Sequence, residues 1–112
     1  MMRECQTIVV ERDTEWRGAY ATEPCEAAWA SEAIFFIRAL SAVGTPDQAL
    51  SARVQISPDG MRWCDEGTEV PLPSGEAVTF GRVRHFGGWL RLAGELPDGI
   101  AMRVIVYLVL KS

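Results

Sequence analysis

Basic residues other than arginine are almost missing from this chain: Lys111 is the single lysine and His85 the single histidine in 112 residues. Long apolar runs are missing too. The longest, Val104 to Leu110, has seven residues, far short of the ~20 that a membrane-spanning helix needs. No Cys-x-x-Cys pair occurs; Cys5, Cys25, Cys64 and His85 stand 20, 39 and 21 residues apart, which removes the knuckle of a zinc site. Neither a Gly-x-x-x-x-Gly-Lys phosphate loop nor a Gly-x-Ser-x-Gly elbow is present. His85, within Arg84-His85-Phe86-Gly87-Gly88, has no neighbouring nucleophile and no carboxylate behind it, so a nucleophile–base pair is not supplied locally. Asp65, Glu66 and Glu69 lack the alternating spacing of a calcium loop and read as a solvated loop. No metal, no cofactor and no catalytic residue is therefore expected, and the chain reads as non-enzymatic.

The opening residues hold no charged segment followed by an apolar stretch, so synthesis in the cytoplasm without a signal peptide is expected. Three cysteines, an odd number, fit free thiols in a reducing compartment. A net charge of −4 and a pI near 4.9 are the wrong sign for nucleic-acid binding, and no membrane association is expected.

What is present is an ordinary globular composition: 48% apolar and 23% charged residues, with ten Gly and six Pro. The length fits one domain over residues 1–112. Charge is unevenly placed. Residues 1–32 carry seven acids against Arg3, Arg12 and Arg17, whereas residues 33–112 balance eight acids with eight bases. That first third reads as an acidic, less regular segment. Ten of the eleven basic residues are Arg, which suits packed interfaces and equally suits a GC-rich coding sequence.

Strand signals recur at short intervals between Gly and Pro punctuation. Thr7 to Val10 is β-branched; a looser acidic stretch follows from Asp13 to Glu26, and residues 27–31 read as a brief helix or a bend. Ala33 to Val43 predicts a long strand with both faces apolar in its first half, as in a central strand. Ala52, Val54 and Ile56 alternate with Arg53, Gln55 and Ser57. Pro58-Asp59-Gly60 then turns the chain into Met61-Arg62-Trp63, which reads as a hairpin. Val70 to Gly75 reads as a connection or an edge. Ala77 to Phe80 and Trp89 to Leu92 are short strands. From Ile100 to Leu110 both faces are apolar, so the last strand must be central or be covered by a partner chain. The pattern predicts an all-β, single-domain antiparallel β-sandwich, jelly-roll-like, of about seven or eight strands.

Four tryptophans offer either core filling or stacking faces and interface anchors. Trp63 and Trp89 fall on predicted strands and suit the core; Trp16, in the acidic stretch, suits an exposed anchor better than the others do.

The segment Ser57-Pro58-Asp59-Gly60-Met61-Arg62-Trp63, a strand followed by Ser-x-Asp-Gly-x-x-Trp, resembles the hairpin of discoidin-type (coagulation-factor type C, galactose-binding-like) jelly-roll modules. Trp89-Leu90-Arg91-Leu92 and Gly99 to Val104 look like the closing strands of that family. The likeness covers roughly residues 51–66 and 88–108 and implies a β-sandwich with carbohydrate or lipid binding. The same hairpin followed by Leu108-Val109-Leu110-Lys111 is similar to small sandwich proteins of phage-type virions. That likeness implies self-assembly as a shell, decoration or tail component.

Two functions are expected from these observations. The first is structural: protein–protein contacts in a virion or virion-like particle, with homo-oligomers or other structural subunits as partners. Its contact residues would be Trp16, Glu11, Asp13 and Glu15, docking on Arg53, Arg62, Arg82 and Arg84, with Tyr107 on the last strand. The second is a carbohydrate-binding jelly roll that holds a glycan on exposed Trp residues.

Overall fold

The computed structural model describes residues 3–112. Nine strands run in the order β1 (Cys5–Arg17), β2 (Ala19–Ala21), β3 (Cys25–Glu26), β4 (Glu32–Val43), β5 (Ser51–Ser57), β6 (Cys64–Pro71), β7 (Val78–Arg84), β8 (Trp89–Glu95) and β9 (Ala101–Lys111). No helix occurs among the described residues; residues 28 and 29 form a turn closed by the Ala30 amide on the Ala27 carbonyl.

The strands form two antiparallel sheets, ordered β1-β9-β4-β7 and β2-β8-β5-β6, with β3 also on β8. When β2 and β3 are taken as one interrupted strand, every pairing joins an early strand to a late one: β1 to β9, β2/β3 to β8, β4 to β7, β5 to β6. This is a long antiparallel ribbon wrapped on itself, the jelly-roll form of a β-sandwich.

Alternation along the strands decides what lies between the sheets. Val104, Val106, Leu108 and Leu110 of β9 are buried against Phe35 and Ile37 of β4 and, from the other sheet, Val54, Leu90 and Leu92. The last strand is central: β1 pairs one edge of it and β4 the other.

Three local expectations need correction. The acidic stretch is not loose as far as Arg17. β1 continues through it by way of register shifts at Val9/Glu11 and Glu11/Thr14, with Asp13 at φ 54°. Those bulges break the two-residue period, which hid the strand in the sequence. Each inserts one residue and the two cancel in phase, so Trp16 keeps the inward parity of Gln6 and Ile8 and lies opposite Met102. Residues 61–63 do not begin a strand; they belong to the hairpin loop, with Met61 mostly exposed. The return strand is β6, made of the residues expected to be a solvated loop, including Asp65, Glu66 and Glu69. A register shift between Arg53 and Gln55, with Gly67 at φ 114°, obscures its alternation.

Candidate protein interaction face

The hairpin is built by its own polar side chains. The Ser57 hydroxyl accepts from the Gly60 amide at 2.8 Å and donates to Asp59 Oδ1 at 3.0 Å. That oxygen also accepts from the Met61 and Arg62 amides at 2.9 Å each, and Asp59 Oδ2 holds the Arg62 guanidinium at 2.9 Å. Donors converging on the carboxylate, first the Arg62 and Met61 amides, lower its pKa to about 2. Gly60 sits at φ 78°, and a Cβ there would stand 3.1 Å from the Trp89 ring, so the turn needs glycine for both reasons. Trp63 lies half-buried beneath the Arg91 guanidinium, 4.3 Å from the ring centroid. Ser57, Asp59, Gly60 and Trp63 thus make a structural hairpin.

The residues expected at a contact are scattered. Trp16 is buried, not an exposed anchor: its ring is 1% exposed and stacks on Tyr20 with centroids 4.0 Å apart. Burial raises the Tyr20 pKa to about 12. Glu11 is spent inside the chain, accepting from the Thr14 hydroxyl at 2.8 Å and the Glu23 amide at 3.0 Å. Asp13 pairs with Arg103 at 2.7 Å and Glu15 with Arg17 at 3.0 Å. The four arginines do not form one face. Arg53 is on the outer face of β5 in the β2-β8-β5-β6 sheet, within 3.5 Å of both Asp65 and Glu95; Arg62 is in the hairpin; Arg82 and Arg84 are on β7 of the other sheet.

Arg82, Arg84 and Tyr107 do come together, on the outer surface of β1-β9-β4-β7. Tyr107 is opposite Val9 on one side and Phe36 on the other, and Phe36 is opposite Phe80. The Phe36 and Phe80 rings are 6.0 Å apart, and Arg82 lies over Phe80 at 5.0 Å. Ile105, Val109 and Ile34 share this face by register, and Val78 closes the row beside Arg38. Val78 is 53% exposed, Phe80 47% and Val9 36%. Val78, Phe80 and Val9 are thus exposed, with the half-buried Phe36 and Tyr107 lying between Phe80 and Val9.

Around the apolar centre the outward positions of β9, β4 and β7 carry Arg38, Arg82, Arg84, Arg103 and Lys111 against Glu32, while β1 brings Glu15 opposite Arg103 and Asp13 into a pair with it. Bases therefore outnumber acids on this face of a chain whose net charge is −4. Arg84 approaches Glu32 at 3.8 Å. Among the described residues Arg38, Arg82 and Lys111 form no ion pair. The opposite sheet has the contrary character. Glu26, Asp65, Glu69 and Glu95 face outward there with Arg53 and Arg91, and Gln55 links Arg91 to Asp65 through bonds of 2.8 and 2.9 Å.

The sequence had two signals for the apolar face, the second apolar side of residues 101–109 and the doubly apolar first half of residues 33–43. It missed Phe36, Phe80 and Val78 because only the pairing of β4 with β7 and β9 sets them beside Tyr107.

Other chemistry is sparse. Two shallow clefts, of about 150 and 120 Å³, are lined by Glu15, Val43, Met102 and Arg103 and by Arg53, Asp65 and Glu69. Both are smaller than the ~300 Å³ of an ordinary small-molecule site. His85 is exposed at the end of β7 with φ 56°. Among the described residues no three His, Cys, Asp or Glu side chains converge as metal ligands. Cys5 and Cys64 are exposed free thiols, and burial with the nearby Glu26 carboxylate pushes the Cys25 thiol pKa up. Comparison with known family models, curated proteins and solved structures found no match.

Proposed function

We propose that the chain is a non-enzymatic structural protein whose role is self-assembly. The apolar, arginine-rimmed face of one copy docks on the acid-bearing outer face of the next. The setting we infer is a virion or virion-like particle, in which it serves as a shell, decoration or tail component. That finer reading rests on the hairpin and closing-strand resemblance.

The observation that carries the assembly reading is the apolar row of Val78, Phe80, Phe36, Tyr107 and Val9, partly to largely exposed, inside a rim in which bases outnumber acids. The excess of bases over acids on this face, in a chain of net charge −4 whose other sheet bears more acid than base, supports a front-to-back contact between copies. Opposite fields attract the two faces and suppress wrong pairings. Such a contact is heterologous and propagates into rings or filaments. The size is sufficient. Four strands at ~4.8 Å spacing and lengths of ~24–44 Å give roughly 700 Å² per copy, so a fully docked pair buries about 1,400 Å².

Light-scattering mass after size exclusion, with negative-stain images of the same fractions, tests this. Wild-type protein is expected as particles well above the 12.4 kDa chain mass, weakening as salt is raised through ~0.5 M. Phe80→Glu is expected to remove the face contact without unfolding the chain, because Phe80 points outward. Wild-type protein that stays at 12.4 kDa at every concentration, or Phe80→Glu particles indistinguishable from wild type, would refute the reading.

The carbohydrate alternative has less support. Trp16 is buried, Trp63 lies beneath Arg91 and Trp89 packs on Gly60, leaving Trp29 as the one tryptophan more than a third exposed.

A further inference from the structure

We infer a second contact between copies: β1 pairs with β1 of another chain about a twofold axis at Thr7, joining two four-stranded sheets into one of eight strands. The inference rests on the assembly reading only for the identity of the partner; the residues that carry it are different.

β1 is the outer strand of its sheet, and β9 is its only partner strand among the described residues. The other outer strand, β7, is met by β6: the Thr68 hydroxyl reaches the Arg82 carbonyl at 3.5 Å, and Gly81 abuts Val70 and Glu69. The second half of β1 is likewise covered or distorted, by the Glu11–Glu23 bond, the two bulges and Asp13. That leaves residues 5–10.

The open half is Cys5-Gln6-Thr7-Ile8-Val9-Val10. It holds no charge, no proline and no glycine, and four of its six residues are β-branched. Edge strands are normally blunted by charge, proline or a bulge, because an open row of amides and carbonyls is a template for another strand. Here the first bulge falls at Val10 and the first charge at Glu11, so Cys5 to Val9 is left regular and open.

The hydrogen-bond phase fixes which groups are offered. Ser112 donates its amide to the Glu4 carbonyl at 3.0 Å. In an antiparallel ladder the bonding direction alternates, so Gln6 and Ile8 turn their backbone groups toward β9, and Cys5, Thr7 and Val9 turn theirs outward. The far side of β9 agrees: Lys111, opposite Cys5, gives its carbonyl to the Ser31 amide, away from β1. The outward residues are symmetric about Thr7. In a twofold antiparallel pair Thr7 meets its own copy and Cys5 meets Val9, and each of the three donates and accepts once. The side-chain pairs, Thr–Thr and Cys–Val, are uncharged and favourable. The same contact places two apolar faces side by side in a continuous sheet.

Charge complementation at the twofold axis tests the pairing. Thr7 is exposed, so Thr7→Arg and Thr7→Glu should fold as wild type does, checked by their thermal melts. Wild-type protein carrying Phe80→Glu, which lacks the face contact, is expected to run at twice the 12.4 kDa chain mass. Adding Thr7→Arg or Thr7→Glu to it should weaken that dimer on the order of tenfold by like-charge apposition, and mixing the two should restore it. The amides of Cys5, Thr7 and Val9 should gain hydrogen-exchange protection as concentration rises, with those of Gln6 and Ile8 protected throughout. A Phe80→Glu protein that is monomeric throughout, a mixture that does not re-form dimers, or outward amides insensitive to concentration would each overturn the edge contact. The first two results leave the face reading standing if wild-type particles still depend on Phe80.

Discussion

Replacing Trp16 by alanine separates a buried wedge from a surface anchor. The indole is 1% exposed, opposite Met102 and stacked on Tyr20 at 4.0 Å. Truncating a buried tryptophan to alanine costs about 3–5 kcal/mol in lost transfer energy and cavity. One effect opposes this. The Trp16 Nε1 is buried without a hydrogen-bond partner, and removing an orphaned donor returns ~1 kcal/mol or more. The net expectation is a loss of about 3 kcal/mol, a large share of the ~5–15 kcal/mol that holds a domain of this size. Urea titration at fixed protein concentration should show the midpoint falling with an unchanged slope, and the melting temperature should drop by more than ~10 °C. Trp16→Phe keeps most of the ring and removes the orphaned N–H, so it should lie within ~1 kcal/mol of wild type. A stability change in Trp16→Ala below ~0.5 kcal/mol, accompanied by lost assembly, would refute the buried placement and the continuation of β1 that carries Trp16 inward.

The contact between Gly94 and Tyr20 yields a coupled pair: a Cβ at Gly94 would stand 2.5 Å from the Tyr20 hydroxyl, which is itself buried and unpartnered. Gly94→Ala should therefore cost about 1–3 kcal/mol. Tyr20→Phe should be close to neutral, and the double variant should recover at least ~0.5 kcal/mol in a urea-based double-mutant cycle; strict additivity would contradict the close approach. Acid should act through Asp59. Its folded pKa, about 2, lies below the ordinary 3.8, so its stabilisation is present above pH ~4 and lost as pH falls from there toward ~2. In urea midpoints measured across that window, Asp59→Asn should show a shallower acid decline than wild type; an identical decline would mean that the hairpin bonds do not form as described.

The alternation of β4 and β9, the proline and glycine breaks and the absence of helical periodicity determined the all-β sandwich from the sequence alone. Side chains with a two-residue period can bury one face only as strands, and β9, apolar on both sides, could not be an ordinary edge. The hairpin was equally legible, since Ser57, Asp59 and Gly60 act on backbone groups within three residues of themselves. Bulged strands were not. β1 and β6 each lose their period at an inserted residue, so Trp16 was placed outside and Asp65 to Glu69 in a loop. The candidate interface was legible only in part. Tyr107 and the second apolar side of β9 were visible along the chain, but Phe36 of β4 and Phe80 of β7 are 44 residues apart and meet through register. Charge shows the same division: the sequence contains the excess of acid over base, while the wrapping of the ribbon gathers Arg38, Arg82, Arg84, Arg103 and Lys111 on one outer face with fewer acids, Glu32, Glu15 and Asp13, among them. Local chemistry acts over a few residues and is readable in order, whereas a face of a sheet is made from strands distant in sequence and exists only once their register is set.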